Sequence, residues 1–125
     1  MPAVLIEVRR HATVDEEEAI IDAVRGSLIA EFRASADDLD IRLAVHEPHR
    51  FACPPNRTRP EFATLVTIDC FAGRSADVKR NAYREIVKRL ESIGIPRDHV
   101  SVIVHDVPTE SWGLPGGIAA RDVVS

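Results

Sequence analysis

Apolar residues fall along this chain in two alternating rhythms, and the order of the rhythms occurs twice. Pro2-Ala3-Val4-Leu5-Ile6 opens an apolar run that predicts a first strand, Val4–Val8. Ile20, Ile21, Val24, Leu28 and Phe32 then recur at helical spacing. Thr13 and Glu16 stand ahead of that stripe as a capping box, which satisfies orphan amides at a helix start. Leu39, Ile41, Leu43 and Val45 alternate with polar or small residues, the rhythm of a strand. After His46–Phe62, with Pro48, Pro54, Pro55 and Pro60, the order begins again. Val66–Cys70 reads as a strand, and Val78, Ala82, Ile86, Leu90 and Ile93 as a helix face. Ser75 is its expected N-cap, Asp77 suits the helix dipole, and Gly94 and Pro96 end it. Val100–Val104 is the closing strand.

The repeat can be written as a shift. Moving 62 residues carries Val4–Val8 onto Val66–Cys70, and Arg10-His11-Ala12-Thr13 onto Ala72-Gly73-Arg74-Ser75. The same shift carries Val24 and Leu28 onto Ile86 and Leu90, and Pro2 onto Thr64. One residue of slip later, Leu39-Asp40-Ile41 meets Val100-Ser101-Val102. Each half is therefore β-α-β, with parallel strands and a right-handed crossover. The expected fold is α+β in two layers: tandem β-α-β units forming a four-stranded sheet with two helices on one face. The expected organisation is a single domain, with unit 1 at about 2–46, a loop at 47–62 and unit 2 at about 63–125. Nothing in the sequence covers the other sheet face, and its apolar side chains predict subunit association. A long proline-rich loop in so small a domain is either functional or a plain linker.

Composition narrows the partners. A net charge of −4 offers no basic footprint for nucleic acid or an anionic membrane. No apolar stretch approaches the roughly 20 residues of a membrane span. Met1-Pro2 leads directly into strand-like sequence without a basic n-region, so no signal peptide is expected. Cys53 and Cys70 stand in no CxxC pattern and read as reduced thiols of a cytoplasmic protein. His46, His49 and Cys53 have loop spacing but no fourth ligand or knuckle pattern, so no metal site is expected. Gly116-Gly117 lacks the strand-to-helix setting of a phosphate loop, and no nucleotide cofactor is expected. His105 reads as structural.

Pro2 is the distinctive chemical feature. An initiator methionine is usually removed before so small a residue. Pro2 would then carry a secondary amine at the end of an ordered strand.

Three further segments give that amine a context: Phe71-Ala72-Gly73-Arg74-Ser75-Ala76-Asp77 between strand and helix, Ala36-Asp37-Asp38 through His46-Glu47-Pro48, and Glu110-Ser111-Trp112-Gly113-Leu114-Pro115-Gly116-Gly117. With Pro2 in front, the chain resembles the tautomerase superfamily, founded on 4-oxalocrotonate tautomerase, with its MIF-like β-α-β fold and catalytic amino-terminal proline. Its double unit and length look most like the malonate semialdehyde decarboxylase branch; the turn is also similar to that of cis-3-chloroacrylic acid dehalogenase. The resemblance implies catalytic roles for Pro2, Arg74 and Asp38. It implies substrate contacts for Trp112, Arg74 and Leu114, a homotrimer, a small carboxylate substrate and no cofactor. There are departures. Those branches use two arginines around the turn, and here Phe71 and Ala72 flank the single Arg74. A single-unit enzyme would carry arginines where this chain has Ala12 and Asp40. Arg50, Arg57 and Arg59 of the loop are either substitutes or solvated charges.

Two chemistries follow from the residues. Burial lowers an amine's pKa from near ~8 in water, making Pro2 a base for keto–enol proton transfer on a 2-oxo acid, with Arg74 on the carboxylate. Arg74 is expected to aim at the same point as the amides of the following helix. A nearby Asp38 raises that pKa instead, and a cationic Pro2 suits decarboxylation or hydration. A non-catalytic trimeric binding protein that kept only the fold is the third alternative.

Overall fold

The structure is a computed structural model, and it describes residues 2–124. Removal of Met1 therefore concerns a residue outside those described. Strand β1 spans Ala3–Val8, helix α1 Val14–Glu31 and strand β2 Asp40–Val45. Strand β3 spans Thr64–Phe71, helix α2 Ala76–Ser92 and strand β4 Val100–Val107. The sheet order is β2-β1-β3-β4. β1 runs parallel to β2 and β3 parallel to β4, while β1 and β3 meet antiparallel at the centre. The two units are thus related by an approximate twofold through the β1–β3 seam.

Alternation sets the layers. Val4, Ile6 and Val8 of β1 and Val66, Ile68 and Cys70 of β3 are buried in one core with Ile20, Val24 and Leu28 of α1 and Ala82, Ile86 and Leu90 of α2. Both helices therefore lie on one face. At roughly 1.5–3 kcal/mol per buried large aliphatic side chain, this layer is the main stabilising term. Ile93, placed on the α2 stripe by its spacing, is 41% exposed; Ile95 takes the core position at 3%. The reason is the helix end: Ile93 is the C-cap, and Gly94 at φ 99° turns the chain back before Ile95. The reciprocal Thr13–Glu16 cap starts α1, and Ser75 accepts from Val78 N–H to start α2.

The register fixes what the uncovered face presents. Arg42, Leu5, Thr67 and Ile103 form one row across it, and Asp40, Ala3, Asp69 and His105 the next. His105 Nδ1 lies 2.8 Å from Asp69 Oδ1. This face is a mixture of apolar and charged groups, more polar than the sequence pattern suggested.

The segment between the units has a definite counterpart. Short 3-10 turns at Ala36–Asp38 and Pro48–Arg50 in unit 1 recur at Arg97–His99 and Thr109–Ser111 in unit 2, each 61 residues on. Residues 46–62 are therefore the tail of unit 1, as 108–124 are the tail of unit 2. In the second tail Gly113–Leu114 (β5) pairs with Ile118–Ala119 (β6). In the first, Pro54 and Pro55 leave a turn closed by Arg57 N–H to Pro54 C=O at 3.1 Å, with no ladder.

Candidate active site

Pro2 sits just before β1, on the helix side of the sheet, with its side chain fully buried. Its carbonyl accepts a hydrogen bond from Asp40 N–H at 3.4 Å, which ties the strand start to the start of β2. β1 pairs Ala3 with Asp69, so one residue further Pro2 falls beside Cys70. Cys70 is fully buried. Burial pushes its thiol pKa up, and nearby Arg74 opposes that shift. Pro2 and Arg74 thus border the same buried thiol from different elements.

Arg74 occupies the β3–α2 turn opened by Gly73, whose φ of 128° suits only glycine. Its guanidinium does not line up with the first amides of α2, one of which Ser75 already occupies. Instead it crosses to the end of α1. Its Nη2 donates there to Phe32 C=O at 3.5 Å, while its Nη1 donates to Phe71 C=O at the end of β3 at 3.3 Å. The Phe32 ring lies beneath it, 4.4 Å from guanidinium carbon to centroid. The π face and two carbonyls of a helix end and a strand end attract the cation, whereas α2's positive pole repels it. Two carbonyl contacts still leave donors on a guanidinium for a carboxylate.

Asp38, Trp112 and Leu114 come together without Arg74. They line one cleft of about 420 Å³ with Asp37, Asp40, Gly113 and Pro115. Asp37 and Asp38 belong to a 3-10 turn whose N-cap Ser35 accepts from Asp37 N–H. Trp112 and Leu114 come from the second tail, pinned where Ala120 N–H donates to Trp112 C=O at 2.9 Å. The cleft is joined to the Pro2–Arg74 pair at two points. Asp40 belongs to its wall and holds Pro2 through the backbone. Trp112 packs edge-on against Phe71, centroids 5.1 Å apart at 72°, and Phe71 carries the carbonyl that Arg74 grips.

Phe32 and Cys70 carry no sequence signal for this arrangement, while Phe71, Asp37 and Asp40 stand in segments that carry the resemblance but have no role assigned by it. Phe32 read as helix stripe and Cys70 as strand core, which they also are. The loop arginines belong elsewhere. Phe51 accepts from Arg9 Nε at 2.8 Å, just past the far end of β1, and Arg59 stacks on Phe62. Six strand residues, about 20 Å, separate that end from Pro2. His46 contacts Glu7, and His49 accepts from Arg50.

The sequence pattern of the Tautomerase_2 family, described as "Tautomerase enzyme", matches residues 38–115, a span that runs from Asp38 to Pro115 and leaves Pro2 outside. A 2-hydroxymuconate tautomerase of Comamonas testosteroni is 36% identical over 63 residues, 50% of this chain and 94% of that protein. A relative matched over nearly its whole length by half of this chain agrees with the doubled unit. Among solved structures, a fused 4-OT wild-type asymmetric trimer superposes with TM-score 0.87 at 17% identity, covering 98% of this chain and 99% of that one. A malonate semialdehyde decarboxylase superposes with TM-score 0.85 at 21% identity, over 98% and 99% of the two chains. At these identities the two structures speak to the fold.

Proposed function

This chain belongs to the tautomerase family, and from that premise we propose that it is a cofactor-free enzyme that moves a proton between carbon and oxygen of a small 2-oxo acid, with Pro2 as base. The observation that carries the reading is the setting of Pro2: a buried proline at the start of a central strand, bordering the thiol that Arg74 also borders. Once Met1 is removed, the nitrogen is a secondary amine; while Met1 remains, it is an amide and has no basic lone pair. Burial favours the neutral amine and lowers its pKa below the value near ~8 of an exposed α-amino group. The neutral amine takes the proton from the enol hydroxyl or the α-carbon and returns it at the other position. Arg74 holds the carboxylate and the negative charge that develops on the oxygen. Trp112 and Leu114 limit water on the cleft side. The open face joins copies of the chain into a homotrimer, in keeping with the trimeric fused 4-OT.

The test is a pH–rate profile on phenylpyruvate enol with processed protein. The rate should rise with pH through an amine pKa below ~8. Pro2→Ala leaves a primary amine of different basicity and direction and should lower kcat/KM by at least roughly 100-fold. Undiminished ketonisation in Pro2→Ala would end this reading.

One observation favours a second reading. Asp38, Trp112 and Leu114 share one cleft, and a carboxylate there would hold Pro2 cationic and suit decarboxylation or hydration of a three-carbon acid. Carbon dioxide release from malonate semialdehyde, lost in Asp38→Asn, would establish it; no release from the wild type would remove it.

A further inference from the structure

The approximate twofold that relates the two units also relates two clefts. A shift of 61 residues carries the wall of the first onto the second: Asp38 answers to His99, Asp40 to Ser101, Trp112 to Phe51, Leu114 to Cys53 and Pro115 to Pro54. The structure encloses a cleft of about 140 Å³ there, lined by these counterparts with Arg57 and Thr64. It lies at the far end of β1, under the tail of unit 1.

The negative charge is reduced from three carboxylates to one, and an arginine joins it. Three carboxylates of the first cleft have become one serine, one histidine and Asp98, and Asp98 is drawn off the wall onto His99 Nδ1 at 2.8 Å. Half-buried Arg57 adds a positive charge; its Nη1 hydrogen-bonds the neutral Asn56 side chain at 3.1 Å, and Asp98 is near enough for the two charges to attract. We propose that this second cleft is a binding site for a small monocarboxylate, held by Arg57 with the Ser101 and Thr64 side of the wall, and that it binds without reacting. The volume matches roughly four or five waters, the size of pyruvate or acetate.

The absence of reaction follows from two positions. Thr64 stands where Pro2 stands in unit 1, and an internal residue has an amide nitrogen that cannot become an amine. Its hydroxyl is engaged with Phe62 C=O at 3.0 Å. His99 is 3% exposed and has both ring nitrogens occupied. Its Nε2 accepts from Arg59 N–H at 3.1 Å, so the ring proton is on Nδ1, facing Asp98. No lone pair is left to act as base. The facing titratable groups are Asp98 and Cys53.

Cys53 makes the cleft testable, because a halogenated 2-oxo acid that enters it can alkylate the thiol. With bromopyruvate, the Cys53 thiolate attacks the bromomethyl carbon, a C–S bond forms, and the C–Br bond breaks to release bromide. The full chain should be labelled at the Cys53 peptide with saturation kinetics, and pyruvate should protect it. Arg57→Ala should slow this labelling roughly tenfold, the loss of one charge-assisted contact, while labelling by neutral iodoacetamide is unchanged. Amide resonances of Arg59 and Ser101 should shift on pyruvate addition in the wild type and stay still in Arg57→Ala. Unsaturable, unprotected labelling, or equal effects of Arg57→Ala on both reagents, would overturn the proposal. The labelled peptide separates this outcome from any reaction at Pro2, so the site stands or falls independently of the proposed activity.

Discussion

At the end of α1 the chain turns through Phe32 and Arg33; at the end of α2 it turns through Ile93 and Gly94. Both turns use a left-handed residue, but Arg33 adopts it at φ 55° with a side chain, and Gly94 at φ 99° without one. The first turn puts the Phe32 ring and carbonyl under the guanidinium of the other unit. The second leaves Ile93 in solvent. The same fold has been built twice, and only one copy spends backbone strain at the place where the proposed chemistry gathers. The two clefts repeat the lesson. Their positions follow from the repeat, and their chemistry follows from substitutions at matched sites.

The contrast can be broken most decisively at Pro2 and its counterpart. Pro2→Ala should remove most activity, as argued above, whereas Thr64→Val should leave kcat/KM within about twofold while costing about 1 kcal/mol, the worth of one hydrogen bond. Equal losses of activity would mean that the two units are not chemically distinct.

The cores should behave alike where the clefts differ. Leu28 and Leu90 occupy matched, fully buried positions. Leu28→Ala and Leu90→Ala should each destabilise by about 2–5 kcal/mol in urea unfolding. A loss confined to one of them would show that the halves do not share one cooperative core.

The helix ends should respond in opposite directions. Arg33→Gly relieves a left-handed side chain and should stabilise by up to about 1 kcal/mol, net of glycine's unfolded-state entropy. Gly94→Ala should cost about 1–2 kcal/mol. Thermal melts of the pair measure this directly.

The smallest difference concerns the helix starts. Glu16 closes the cap of α1, and its bonds from Thr13 and then from Arg10 hold its carboxyl below the ordinary range; α2 has Val78 at that position. A lowered folded pKa means that this contribution is present above the unfolded value of about 4.3 and is lost as pH falls through the folded one. Stability should therefore fall less steeply below that pH in Glu16→Gln. Identical acid limbs would remove this role.

Much of this was legible in the residues. Alternation and helical spacing returned both strand pairs, both helices and the layer they share, because burial of one face is a local demand repeated along each element. Both helix caps were also visible, since a cap is satisfied within four residues. The site was only partly legible. Asp38, Trp112 and Leu114 stand in separate segments and share a cleft, but Phe32 and Cys70 read as ordinary core. A side chain that packs and also positions leaves no extra mark in a pattern that records only polarity. The direction of Arg74 is not legible locally for a related reason: the attraction comes from a helix end 42 residues away.

By itself, then, the sequence determined a doubled β-α-β chain, the caps that start its helices, and a proline at the head of its first strand. These depend on neighbours within a few residues or on a period that can be counted. Only the tertiary structure decided that the units meet antiparallel at β1 and β3, that residues 46–62 are a second tail rather than a linker, and that each tail closes a cleft. Those outcomes depend on which strand edges and chain ends are brought side by side, and no local rhythm carries that information.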